Sequence, residues 1–299
     1  MTTTLKNRLL HALDGRLSPH AVAHLGSVYL SARSRSRCSV RYDDGQWIHR
    51  YPQGVLVNTR LGGLSPEVQD QAAQDVFLYD YQPHPGDTVV DVGAGVGGEV
   101  RLFSRLVGEH GRVVSIEAHP TTFECLRRTV ELNRLRNVTP VECAVVGTAG
   151  PVYLEDDPVR HIGNGLTNDS TNGVAVAGRR LDEIMESLGI DHVDLLKMNI
   201  EGAELAVLEG SFDALKSVDH LAVSCHDFLA ERAMLARASA RPTHSDDESA
   251  DWRGSERDWR RTFGSVTALL RDAGFTVRTR PHDSRPWVRY YVYASRPGR

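Results

Sequence analysis

The sequence predicts an α/β protein built on a mostly parallel sheet with its last strand reversed. Three observations carry this. From Gly86 onward, short β-branched runs alternate with segments of helical periodicity. A glycine-rich loop separates the first of these runs from the helix that follows it, as in a strand–turn–helix–strand unit. The chain closes with two strand-like runs joined by a Pro- and Asp-containing connection too short for a crossover, so one of them must oppose the rest.

In chain order, residues 1–80 read as a helix-rich extension that caps the acceptor side. Helical periodicity appears at 5–13 and 21–32, and two strands at 39–41 and 47–51 are joined by the turn Asp43-Asp44-Gly45. Ser65-Pro66-Glu67 is an N-cap with proline at the first helical position, opening a helix towards Tyr79. Residues 81–299 form the α/β unit. Strands are expected at 88–92, 112–117, 139–146, 193–198 and 220–224, with helices at 99–107, 122–132 and 203–208 between them. A helix over 257–271 closes at Gly274, followed by strands at 276–280 and 287–294. The polar stretch 230–255 reads as an insertion that could serve as a lid.

With 40% apolar and 25% charged residues in 299, the composition is that of a globular chain and excludes wholesale disorder. No apolar run approaches the roughly 18 residues of a membrane span, and a cytoplasmic location is expected. Cys38, Cys125, Cys143 and Cys225 lack metal-ligand or disulfide spacing and are expected as buried thiols. Nine Lys/Arg face three acids in residues 1–60, and eleven Arg face four acids in 252–299, which leaves the middle strongly acidic. The basic ends could meet an anionic substrate, although such arginines are more often solvated surface. The net charge of −4 and the lack of an aromatic-flanked basic stretch argue against nucleic acid.

The loop Asp91-Val92-Gly93-Ala94-Gly95-Val96-Gly97-Gly98 satisfies G-x-G-x-x-G through Gly93, Gly95 and Gly98. Nicotinamide dinucleotides and S-adenosylmethionine (SAM) both use such a loop. Asp91 separates them, because a carboxylate at the strand end would repel a pyrophosphate yet favours the sulfonium and α-ammonium of SAM. Glu117, ending the next strand, is placed to accept both ribose hydroxyls.

DVGAGVGG, SIEAHP and LDEIMESLGIDHVDLLKMNIEGAELAVLEG resemble the motifs of the FkbM-type SAM-dependent methyltransferases, over roughly residues 86–210 and more loosely to the C-terminus. Lys197, Glu201, Gly202 and Glu204 match that family's Lys-x-Asp-x-Glu-Gly-x-Glu segment, with Asn199 in place of the Asp. The resemblance implies a class I SAM-methyltransferase (Rossmann-like) seven-stranded sheet with a reversed last strand. It also implies methylation of a hydroxyl on a sugar, glycan, polyketide, macrolide or lipid, giving S-adenosylhomocysteine (SAH).

Expected at the cofactor are Asp91, Gly93, Ala94, Gly95, Glu117, Ala118 and His119, then Glu142, Cys143 and Ala144 near adenine, and Asn199. His226 and Asp227 follow the fifth strand, where ligands of open α/β sheets bind, and are the candidate base and acceptor ligand. Glu201 is expected at the acceptor or the methionine end, Glu204 as a helix N-terminal acid. Asn164 and Asn168, in the amide-rich loop 161–173, are candidates for a hydroxylated acceptor. No metal is expected; if one binds, Asn199, His226 and Asp227 are the ligands. Two other readings stay open, a nicotinamide-dependent oxidoreductase and a non-catalytic SAM-binding protein, the latter on the strength of Asn199. Self-association into a homo-oligomer is left open.

Overall fold

The computed structural model describes residues 18–156, 165–167, 170–228 and 261–298. The helix expected at 5–13 and the insertion 230–255 lie outside the described residues. The first described helix, α1 (Pro19–Ser34), starts where Ser18 Oγ accepts the Ala21 N–H at 3.3 Å and Pro19 occupies the first turn. An antiparallel meander of β1 (Ser39–Asp43), β2 (Gln46–Tyr51) and β3 (Gly54–Asn58) follows, and then α2 (Pro66–Val76).

The third strand is not apparent in the sequence, because Val55, Leu56 and Val57 are all buried and show no alternation. The free edge of β3 is closed by side chains of α4 (Pro120–Asn133) rather than by another strand. Asn133 accepts the Val55 N–H at 2.8 Å and donates to the Val55 carbonyl at 2.7 Å, and Thr129 Oγ1 accepts the Val57 N–H at 3.1 Å. Thr129 also donates to the Val96 carbonyl at 3.1 Å, which ties the extension to the glycine loop.

The fold is α/β around a seven-stranded mixed sheet. Its strands are β4 (Thr88–Val92), β5 (Arg112–Glu117), β6 (Val138–Glu142), β11 (Val193–Met198), β12 (Val218–Ser224), β13 (Thr276–Thr279) and β14 (Tyr291–Ser295), in the order β13-β14-β12-β11-β4-β5-β6. The β14 strand runs antiparallel to both neighbours, while β12, β11, β4, β5 and β6 are parallel. Strand alternation sorts the core into two faces. Val90, Val92, Val114, Ile116, Leu196 and Met198 pack under α5 (Leu181–Ser187), α6 (Glu204–Gly210) and α7 (Phe263–Asp272). Val89, Val113, Leu195, Ala222 and Tyr293 pack under α2, α3 (Val100–Val107) and α4.

Two expectations are corrected. The strand read at 139–146 breaks at Cys143, and Ala144–Val145 (β7) joins a second, four-stranded sheet with β8 (Gly150–Leu154), β9 (Leu166–Thr167) and β10 (Val174–Arg179). Part of the loop read at 161–173 is therefore strand. These short strands are only partly buried, and VAVAG carries too weak an apolar alternation to announce itself. No helix of the described residues is long and apolar enough to cross a membrane.

Candidate active site

The carboxyl ends of β4, β5 and β11 converge beside the glycine loop and enclose a cavity of about 300 Å³. Two of the glycines are needed there for different reasons. Gly93 has φ +76°, and a Cβ on it would stand 2.1 Å from the Asn199 carbonyl oxygen, so this glycine lets β4 and β11 end side by side. Gly95 has φ +57° and nothing near its missing Cβ, which leaves the loop backbone open towards the cavity.

Beneath the loop lies an ion pair. Lys197 and Asp91 are direct register partners on adjacent parallel strands, and Lys197 Nζ is 2.8 Å from Asp91 Oδ1 and donates to the Gly93 carbonyl at 2.8 Å. Asp91 is fully buried and Lys197 nearly so, at 1%. Burial opposes the Lys197 charge, but Asp91, Glu99 and Glu117 around it hold its pKa above the ordinary lysine value.

At one end of the cavity Glu117 is fixed by two backbone donors, the Gly95 N–H on Oε2 and the His119 N–H on Oε1, both at 2.9 Å. Each oxygen keeps a lone pair for a further donor. Burial pushes this carboxyl up, against the pull of those two bonds. Ala118, His119, Cys143 and Ala144 line the same end. The His119 Nε2 stands 3.3 Å from Asp156 Oδ1, while its buried Nδ1 has no hydrogen-bond partner among the described residues. At the other end Lys197, Asn199, Glu201 and Glu99 line the wall, together with Leu64, Gln69 and Ala72 from the N-terminal extension.

Behind this wall is a carboxylate–imidazole–carboxylate chain. Glu201 lines the cavity in the left-handed region, φ +55°, a strained conformation for a glutamate. Its Oε1 is 3.5 Å from Nε2 of His226, whose Nδ1 is 2.8 Å from Oε1 of the fully buried Glu204. Glu204 in turn accepts the Gly202 N–H at 3.0 Å and the Thr262 hydroxyl at 3.3 Å.

The sequence matches the "Methyltransferase FkbM domain" over residues 91–277. The chain belongs to the FkbM methyltransferase family. It is 30% identical over 156 residues to the hexuronic acid methyltransferase AglP of Haloferax volcanii, covering 51% of this chain and 62% of that one. With the 31-O-demethyl-FK506 methyltransferase FkbM of Streptomyces tacrolimicus it shares 29% identity over 250 residues, 76% of this chain and 88% of that one. The methyltransferase FkbM structure from Methylobacillus flagellatus is similar at 17% identity and TM-score 0.45, over 75% of this chain and 50% of that one. The chain spans about three-fifths of the length of AglP and of the methyltransferase sdnD of Sordaria araneosa.

In this FkbM-family chain, Gly93, Ala94, Gly95, Glu117, Ala118, His119, Cys143, Ala144, Asn199 and Glu201 line one cavity. Asp91, Glu142, His226 and Asp227 are not among its lining residues. Asp91 is turned to Lys197, and Glu142 is exposed on the edge strand β6. Asp227 Oδ2 accepts the Thr262 and Phe263 N–H groups at 3.1 and 3.0 Å and so caps α7. Both His226 nitrogens and the Asp227 carboxylate are engaged in these contacts, whereas Asn199 lines the cavity. Asn164 and Asn168 lie outside the described residues. Among the described residues, the His/Asp group able to hold a metal, His192, Asp194 and Asp219, is at the amino ends of β11 and β12, away from the cavity. Glu99 was missed at the sequence level; an acid just ahead of a helix reads as a bland terminal charge.

The neighbours of His226 bear on its charge. Burial favours the neutral ring, yet Glu201 and Glu204 outweigh it and raise the pKa to about 9, so at neutral pH the ring is an imidazolium with no lone pair to offer. A histidine held above its unfolded pKa of about 6.5 contributes its full stabilisation below that pH and loses it as pH rises through the folded value. We expect the stability difference between the wild type and His226→Gln to shrink by about 3 kcal/mol from pH 6 to 10. Urea denaturation across that range measures it, and a difference independent of pH would show that folding leaves the pKa of the ring unshifted.

Proposed function

We propose that this chain is a SAM-dependent O-methyltransferase of the class I fold, acting on a hydroxyl of a small or medium acceptor of sugar, glycan or polyketide character. One observation carries the reading. The cavity beside the glycine loop presents the carboxylates Glu99, Glu117 and Glu201, and Lys197, the only Lys or Arg among its described lining residues, is consumed by Asp91. A pyrophosphate would meet repulsion there, whereas an adenosyl sulfonium meets complementary charge. The free lone pairs of Glu117 suit ribose hydroxyls, and the unpartnered Nδ1 of His119 suits a polar group of the adenosine end. The names of relatives that act on hexuronic acid and on an FK506 hydroxyl support a hydroxylated acceptor.

When bound, the cofactor supplies a methyl group on a cationic sulfur. The chain's own task is to exclude water, align the acceptor oxygen and remove its proton. Glu201 is the base in this reading, because it reaches the cavity while His226 is already protonated. The imidazolium is a positioning residue that holds the Glu201 carboxylate beside the cavity, and Glu204 holds the imidazolium. Taking up the acceptor proton brings the two carboxylates and the imidazolium from a net charge of −1 to 0. Leu64, Gln69 and Ala72 give the N-terminal extension a part in shaping the acceptor side.

Calorimetric titration with SAH and with NADH tests the cofactor, and transfer of a labelled methyl group to hexuronic acids and hydroxyl-bearing macrolides tests the reaction. SAH should bind and NADH should not. Glu117→Ala should weaken SAH at least about 100-fold, since it removes a charged acceptor and frees the loop that it orders. NADH binding in preference to SAH would replace this reading with the oxidoreductase one.

A further inference from the structure

We infer that Glu99 is the residue that receives the α-ammonium group of the cofactor's methionine end, an assignment that rests on the cofactor reading above. The cavity needs an anion for that group, and three of the four nearby carboxylates are already engaged. Asp91 is paired with Lys197 at 2.8 Å and does not reach the wall. Glu117 is held by the Gly95 and His119 backbone at the opposite, adenosine end. Glu201 faces the His226 imidazolium.

Glu99 is left. It lines the cavity, half-buried, and its hydrogen-bond donor among the described residues is its own backbone N–H. Burial raises its carboxyl, and Lys197 offsets this only in part because Asp91 lies just beyond. A carboxylate so placed gains from a cation that brings its own N–H groups, and an α-ammonium brings three. Gln69 packs 3.5 Å from the position a Cβ on Gly98 would occupy, so α2 lies against the loop residue that precedes Glu99 and lines the same cavity.

The test compares two ligands that share the adenosine end. SAH carries the amino acid chain, and 5′-methylthioadenosine lacks it. Glu99→Gln should weaken SAH by ten- to a hundredfold in calorimetry while the affinity for 5′-methylthioadenosine changes less than twofold. A deaminated SAH should lose a comparable factor on the wild type and lose little more on Glu99→Gln, a ligand-side control that needs no variant to fold. Equal weakening of both ligands by Glu99→Gln, or of neither, overturns the assignment while leaving the cofactor reading intact. Failure of the wild type to bind SAH at all overturns the cofactor reading, and this assignment with it.

Discussion

Lys197→Met should lower the free energy of unfolding by about 3–5 kcal/mol, the largest stability change expected from a substitution in the site. The side chain is almost wholly buried, and its partner Asp91 has no exposure at all. A methionine of similar volume fills the space but leaves the Asp91 carboxylate uncompensated on the buried sheet face that carries Val89, with Glu99 and Glu117 as further negative neighbours. It also removes the 2.8 Å bond to the Gly93 carbonyl that anchors the glycine loop. Urea denaturation at pH 7 gives the number. The double variant Asp91→Asn/Lys197→Met should recover much of the loss, because removing both charges removes the cost of burying one alone. Recovery of none would mean that the loop anchor, rather than the ion pair, holds this region.

The second large effect is on turnover. Once an acceptor is in hand, Glu201→Gln should depress turnover by about 10²–10⁴-fold, the usual contribution of a positioned base, while SAH affinity stays within a few fold. The amide keeps the shape and the contact with His226 but does not take a proton at neutral pH. His226→Gln should be milder, because the amide still occupies the place beside Glu201 and only the charge 3.5 Å from its carboxylate is lost. Wild-type turnover in Glu201→Gln would remove Glu201 from the chemistry. A loss in His226→Gln as large as that in Glu201→Gln would return the ring to the chemistry.

Where a segment's fate depends on its own pattern, the sequence is a good guide. The runs TVVDV and RVVSIE bracket a glycine loop, and both lie at the centre of the sheet within a residue of their expected bounds. The last strand begins later than its expected bounds, because Val288–Tyr290 form a 3-10 turn, but β14 is reversed as the expected short link requires. The pattern falls short where burial comes from a distant partner. The third strand of the meander is closed by side chains of α4 from about 75 residues downstream, and the second sheet pairs β7 with β10 across a segment of weak alternation. Neither arrangement leaves a periodic trace in its own residues.

The functional residues divide in the same way. Local order fixes the Gly93–Gly95 turn, the Glu117 strand end and their joint suitability for an adenosyl group, because strand, loop and helix are contiguous and their geometry follows from backbone chemistry. Which acids face the cavity, and with what charge, is decided by strand adjacency. The register between β4 and β11 places Lys197 against Asp91 as a buried ion pair, while Glu99 and Glu201 face the cavity. The fold likewise brings Glu201 and Glu204 to either side of His226, and these two carboxylates raise the pKa of its ring. A pKa depends on charges within a few ångströms, and only the tertiary structure determines which residues supply them.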